Sequence, residues 1–283
     1  MNRNLALTGV PRAGTTLCCR LLGEAPDCVA LFEPMDVRAL TADDRPGALA
    51  AVEDFFAQQR ASLLATGQAR SRHIGGSVPD NPFGSERGAD GVRVLQAVDG
   101  EISAGKRLSR GFTLVIKHNA AFTALLPELA ERFETLAVVR NPLSVLASWN
   151  SVALPVASGR LPAGERLDPG LAADLDAEPD LLRRQLRLLD WLFGRFRRHL
   201  PESRILRYEA VVESGGAALG QACGVDLVPR PLRPRNASPL YDPAGVASLA
   251  RALRSDHGAW RDFYREKDIA GVAAAMRGGE GGG

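Results

Sequence analysis

The sequence predicts one α/β domain with a central parallel sheet flanked by helices. Two observations carry this. Short apolar runs alternate with helical patterns along the chain, the order that builds a parallel sheet. In addition, 283 residues with 45% hydrophobic and 24% charged content suffice for one large domain with a well-buried core.

The elements follow in order. The stretch "LTGVPRAGTTLCCRLL", residues 7–22, is an apolar run, a loop with two glycines and a proline, and a run in which Leu17, Cys18, Leu21 and Leu22 recur at helical spacing. It reads as strand, loop and helix. "CVALF", residues 28–32, is a second strand stopped by Glu33-Pro34, and a helical pattern covers residues 46–64. Residues 67–111 hold many Gly, Ser, Asp and Arg with little apolar period, and read as a long insertion. Order returns with a buried-type strand over 112–116 and a helix over 121–133. "TLAVVR" is the next strand, and "NPLSVLASW" opens the helix after it.

A second insertion, residues 154–170, reads as a loop rich in Pro and Gly. Residues 181–200 put Leu, Trp and Phe on one face and arginines on the other, a helix of five or more turns packed on the sheet rather than lying on a membrane. "RILRY" is the last strand, followed by helices over 209–223 and 243–264. The domain is thus expected to run from 1 to 277, with 278–283 as a disordered glycine-rich tail.

Composition excludes some classes of function. A formal charge of +2 is too small to argue for a nucleic-acid partner. No charged start followed by an apolar stretch marks a signal peptide, and no run approaches the ~18 apolar residues of a membrane span. A cytoplasmic protein without a membrane span is expected. Cys18, Cys19, Cys28 and Cys223 form no CxxC pair and no spacing with histidine that suggests a metal, so they read as reduced core residues.

The chemistry is sought at the carboxyl ends of the strands, where open parallel sheets bind ligands. Aligned on the phosphate-binding pattern GxxxxGK[ST], Gly9 and Gly14 fall on the glycines and Thr16 on the hydroxyl position. Thr15 stands where the lysine would be, and Arg12 is the nearest cation. The strand "LAVVR" ends in Arg140, where a phosphate-loop NTPase would place an aspartate that helps hold magnesium. Both departures weigh against magnesium-dependent ATP hydrolysis. A strand-end arginine suits a bare anionic group, and Ser148, two helical turns further on, lies within reach of the same group. The bland alternatives are a surface ion pair for Arg140 and a self-bonded helix serine for Ser148.

These residues resemble those of sulfotransferases that use 3′-phosphoadenosine 5′-phosphosulfate. "GVPRAGTT" resembles their 5′-phosphosulfate loop and "VVRNPLSVLASW" their 3′-phosphate motif. The resemblance implies a P-loop-type sheet and donor contacts from Pro11, Arg12, Ala13, Gly14, Thr15, Thr16, Arg140 and Ser148, with Arg12 in the loop's cationic role. Tyr208 in "LRYEAV" resembles the tyrosine near the adenine. "RPRNASPLYD" replaces the family's glycine-rich second 3′-phosphate loop and offers Arg235 and Asn236 in its place.

Sulfuryl transfer needs a base for the acceptor hydroxyl. "PDCVALFEPMD" is similar to the segment of carbohydrate O-sulfotransferases in which Phe-Glu-Pro carries the glutamate, which implies Glu33 as base beside the glycine loop. His118 is the competing base. It follows Lys117 at the end of the third long strand, so both are expected to face one crevice, with Lys117 stabilising the leaving oxygen. The expected acceptor is a small molecule or carbohydrate, more a sugar or glycosylated metabolite than a steroid. The alternatives are a small-molecule kinase with an atypical loop and a non-catalytic nucleotide-binding domain.

Overall fold

A computed structural model describes residues 3–87, 92–238 and 241–278. Five strands form the central sheet in the order β2, β7, β1, β8, β9, all parallel: β1 (Arg3–Gly9), β2 (Cys28–Phe32), β7 (Thr113–Lys117), β8 (Glu134–Val139) and β9 (Ile205–Arg207). The runs are almost continuously apolar because both faces are covered. Alternate residues feed two cores: Leu5, Leu7 and Val115 enter one layer, and Ala6, Leu114 and Ile116 the other. The fold is therefore the predicted α/β class.

Helices follow the strands. α1 (Thr15–Glu24) leaves the glycine loop, and α2 (Arg45–Thr66) starts on an Asp44 side chain that accepts from the Gly47 amide. The expected helix over 121–133 is two short ones, α3 (Ala120–Ala124) and α4 (Leu126–Arg132), with Pro127 opening the second. α5 (Pro142–Trp149) is wholly buried, and α8 (Leu181–His199) buries Leu188, Leu189, Leu192, Phe193 and Phe196.

Other expectations need correction. The insertion at 67–111 is not irregular. It carries two antiparallel strand pairs, one inside the other: β3 (Gln68–His73) with β6 (Val98–Ser103), and between them β4 (Phe83–Arg87) with β5 (Arg93–Leu95). The inward residues of β3 are Ala69 and Ser71, too small or polar to make an apolar period. The second insertion holds α6 (Pro162–Leu167) and the start of α7 (Pro169–Asp176), and the prolines read as loop punctuation open those helices. The helix expected at 209–223 breaks at Gly215-Gly216 into α9 (Tyr208–Glu213) and α10 (Ala217–Cys223). That at 243–264 is α11 (Pro243–Ser255) followed by a short 3₁₀ turn, and α12 (Glu266–Gly278) was not foreseen. Apart from Gly278, which ends α12, the expected tail lies outside the described residues.

Among the described residues no helix is long and apolar enough to cross a membrane. The four cysteines are unpaired and buried, and burial pushes their thiols up, Cys19 to about 12. The sheet brings the ends of β2, β7, β1 and β8 to one edge, with the change of direction at β1.

Candidate active site

The glycine loop is pinned from both sides. The Val10 amide donates to the Val138 carbonyl at 3.0 Å, and the Trp149 indole donates to the Pro11 carbonyl at 2.8 Å. Gly9 has φ +153° and Gly14 φ +88°, and a Cβ at Gly14 would meet the Tyr208 ring at 2.6 Å. Tyr208 therefore packs directly on the loop. Arg12 holds a positive φ of 72°, a conformation that costs a non-glycine residue free energy and fixes where its side chain departs. No side chain caps the first amides of α1, and Gly14, Thr15 and Thr16 line the open cavity in front of them. Pro11 lines it too, while Ala13 is buried beneath the loop.

Arg140 is buried at the end of β8 and bonds only neutral oxygens among the described residues. It donates to Asn236 Oδ1 at 2.8 Å, to the Arg12 carbonyl at 2.9 Å and to the Arg235 carbonyl, and its guanidinium lies over the Tyr208 ring. Arg12 in turn donates through Nε to Ser148 Oγ at 3.2 Å and through Nη2 to Asn81 Oδ1 at 3.1 Å, with Phe83 against its guanidinium. Arg12 thus links Arg140 to Ser148. Burial, then the charge of Arg93 and in smaller measure those of Arg140 and Arg235, press the Arg12 pKa down. An anion bound here would relieve that stress.

The segment holding Arg235 and Asn236 crosses the site. The Arg235 amide donates to Tyr208 OH at 3.1 Å, and its guanidinium pairs with Asp80 at 3.1 Å. Asn236 stands behind Arg140 and is held by Glu209, which also accepts from the Asn141 amide and Tyr264 OH.

The second group of charges is at the ends of β2 and β7. β7 lies between β1 and β2, so Glu33 reaches the cavity across it rather than from the strand next to the glycine loop. Glu33 Oε1 accepts from Lys117 Nζ at 2.6 Å and Oε2 from Arg72 Nη1 at 3.3 Å. Desolvation would raise its carboxyl, but Lys117, His118 and Arg72 together hold it below the ordinary range. Lys117 and Glu33 both line the cavity.

His118 does not share that crevice. The strand's alternation turns it away from Lys117, its Nε2 accepts from the Met35 amide at 3.1 Å, and its ring packs on Phe122. Burial pushes its pKa down to about 4. His118 is thus buried, with its accepting nitrogen occupied, and it does not line the cavity that Glu33 and Lys117 share.

The cavity has a volume of about 1020 Å³. It is lined by nine Arg and Lys side chains against two carboxylates, Glu33 and Asp80, in a chain whose formal charge is only +2. Sequence reading missed Arg72, Asn81, Phe83 and Arg93, all from the first insertion, and Val156 and Leu161 from the second. No motif marks them. The only sequence signal was the size of the insertions, which are long enough to cover strand ends.

Neither a protein-family model nor a curated protein sequence matches the chain. Among solved structures it is similar to a sulfotransferase domain from the curacin biosynthetic pathway, at 14% identity over 98% of both chains with a TM-score of 0.42. It is also similar to the sulfotransferase STF1 of Mycobacterium tuberculosis H37Rv, at 13% identity over 98% of this chain and 77% of that one, with a TM-score of 0.34. At those values the likenesses carry no functional weight.

Proposed function

We propose that the protein transfers a sulfuryl group from 3′-phosphoadenosine 5′-phosphosulfate to a hydroxyl of a small alcohol, with sugars and glycosylated metabolites as the acceptor class. The observation that carries this is the chain Arg140, Arg12, Ser148: two guanidiniums and a buried hydroxyl, joined to one another and without a carboxylate partner among the described residues. Such a cluster fits a multiply charged ligand whose charge no metal has to neutralise.

The donor fits what the residues offer. The loop amides and the uncapped start of α1 suit its 5′-phosphosulfate. Arg140 and Ser148 suit its 3′-phosphate, backed by Arg235 and Asn236. Tyr208, against Gly14 and under Arg140, lies at the cavity wall beside the place the adenine would take. When bound, the donor supplies an activated sulfuryl group whose leaving oxygen is already part of a stable anion.

The chain's own residues do the rest. Glu33 accepts the proton of the acceptor hydroxyl at a carboxylate that its cationic neighbours keep ionised. Lys117 Nζ, 2.6 Å from Glu33, stands at the same cavity wall and stabilises negative charge on the leaving oxygen. Arg12 shares that task from the loop.

A kinase would need a cation at Thr15 and a metal-holding carboxylate at Arg140, and the chain has neither. Calorimetry separates the readings. The 3′,5′-bisphosphate product should bind at least ~10-fold tighter than ATP and be unaffected by EDTA, a gap of about 1.4 kcal/mol. Magnesium-dependent ATP binding would overturn the proposal. Incubating a cell extract with donor and protein, then searching by mass spectrometry for a gain of one sulfate, identifies the acceptor. Donor binding without any such product would favour the non-catalytic domain.

A further inference from the structure

The first insertion reaches the site through β3. Resting on the sulfuryl-transfer reading, we propose that Arg72 is a positioning residue for Glu33, holding Oε2 so that Oε1 faces the acceptor when Lys117 turns to the donor.

The β3–β6 ribbon is fastened to the rest of the fold at three successive residues, the first to α2 and the next two at the end of β2. The Arg70 amide donates to Gln59 Oε1 at 2.9 Å. Ser71, 2% exposed, accepts from the Phe32 amide at 3.0 Å, one residue before the glutamate. Arg72 then splits its guanidinium, Nη1 to Glu33 Oε2 at 3.3 Å and Nε to Asp99 Oδ1 at 3.0 Å. Asp99 is its direct cross-strand neighbour on β6, so the ribbon register itself sets the angle of the guanidinium.

Glu33 is fixed at its other end by backbone. Its φ is +43°, its amide donates to the Lys117 carbonyl at 2.9 Å, and Pro34 follows. What the backbone leaves free is rotation of the carboxylate, and two cations on two different oxygens remove it. Lys117 has a second use at the donor. Once its ammonium is shared with the leaving oxygen, Arg72 is the group that keeps the carboxylate in plane. The proton of the acceptor hydroxyl then passes to Oε1. The hydroxyl oxygen uses its electron pair to bond sulfur, and the departing 3′,5′-bisphosphate keeps the pair of the broken S–O bond.

The charged and titratable groups around Glu33 are Lys117 and His118 from the end of β7, Arg72 from β3 and the Cys19 thiol of α1, with Asp99 behind Arg72. Titrating Glu33 therefore reports on Arg72 without knowledge of the acceptor. In protein labelled with ¹³C at glutamate carboxyls, the Glu33 signal is assigned by its loss in Glu33→Gln. Its midpoint should rise by roughly half a pH unit in Arg72→Gln and return in Arg72→Lys, the size expected of a partly buried pair. Circular dichroism melting confirms that each variant folds, and calorimetry should give affinities for the 3′,5′-bisphosphate within about twofold of the unaltered protein. An unchanged midpoint in Arg72→Gln overturns the inference, as does a loss of bisphosphate affinity that would place Arg72 in the donor site. If the unaltered protein fails to bind the bisphosphate, sulfuryl transfer falls instead, and the Glu33 titration still decides whether Arg72 holds the carboxylate.

Discussion

The two halves of the cavity treat charge in opposite ways. Around β1 and β8, Arg12 and Arg140 donate to backbone carbonyls, two side-chain amides and a hydroxyl, and among the described residues no carboxylate answers them. Around β2 and β7, Glu33 is paired twice, to Lys117 and Arg72, and Arg72 once more to Asp99. One half is short of negative charge and the other is balanced. Under the proposed sulfuryl transfer the difference separates two tasks, an unbalanced cluster to bind the anionic donor and a balanced one to hold a proton acceptor ready.

The largest test of that division is the balanced half. Glu33→Gln should leave affinity for the 3′,5′-bisphosphate intact while turnover of the acceptor found by mass spectrometry falls roughly 10² to 10⁴-fold. Turnover within a few-fold of the unaltered protein would remove the base from Glu33. On the loop, Gly14→Ala adds a methyl 2.6 Å from the Tyr208 ring at φ +88°, so denaturant unfolding should show a loss of ~2 kcal/mol or more.

His118 gives a pH signature. Its pKa falls from 6.5 to about 4 on folding, so the unfolded chain takes up the proton first. Stability should therefore rise with pH between about 4 and 6.5, and His118→Gln should flatten that part of the profile measured by thermal melting. A slope that survives the substitution would place the titration elsewhere. Smaller still, Ser148→Ala removes one hydrogen bond of about 1 kcal/mol and should weaken the bisphosphate about fivefold in calorimetry. It should leave adenosine 5′-phosphate unchanged.

The halves also differed in how much of them the sequence revealed. The unbalanced half was legible because its residues ride on regular elements: Gly14 and Thr16 lead into α1, Arg140 ends β8, and Ser148 is two turns along α5. Strand and helix periods carried those positions into space. In the balanced half Glu33 and Lys117 were found as strand ends, but His118 was misplaced because neighbouring strand residues turn to opposite sides, so it leaves the face that Lys117 shares with Glu33. Arg72 was hidden for a different reason. It sits on a two-stranded ribbon whose buried face is Ala69 and Ser71, so no apolar alternation announced a strand. The prolines of the second insertion misled in the same way, since Pro155, Pro162 and Pro169 open helical turns that bring Val156 and Leu161 to the cavity.

The central claim is that the unbalanced half reads a 3′-phosphate, and comparing two ligands on one variant tests it most directly. Bonds between ionised groups contribute about 1.5 to 3 kcal/mol. Arg140→Ala should therefore weaken the 3′,5′-bisphosphate roughly 10- to 100-fold in calorimetry, while adenosine 5′-phosphate, which lacks the 3′ group, binds as before. Equal weakening of both ligands in a variant that circular dichroism shows to be folded would make Arg140 a structural arginine and contradict the account.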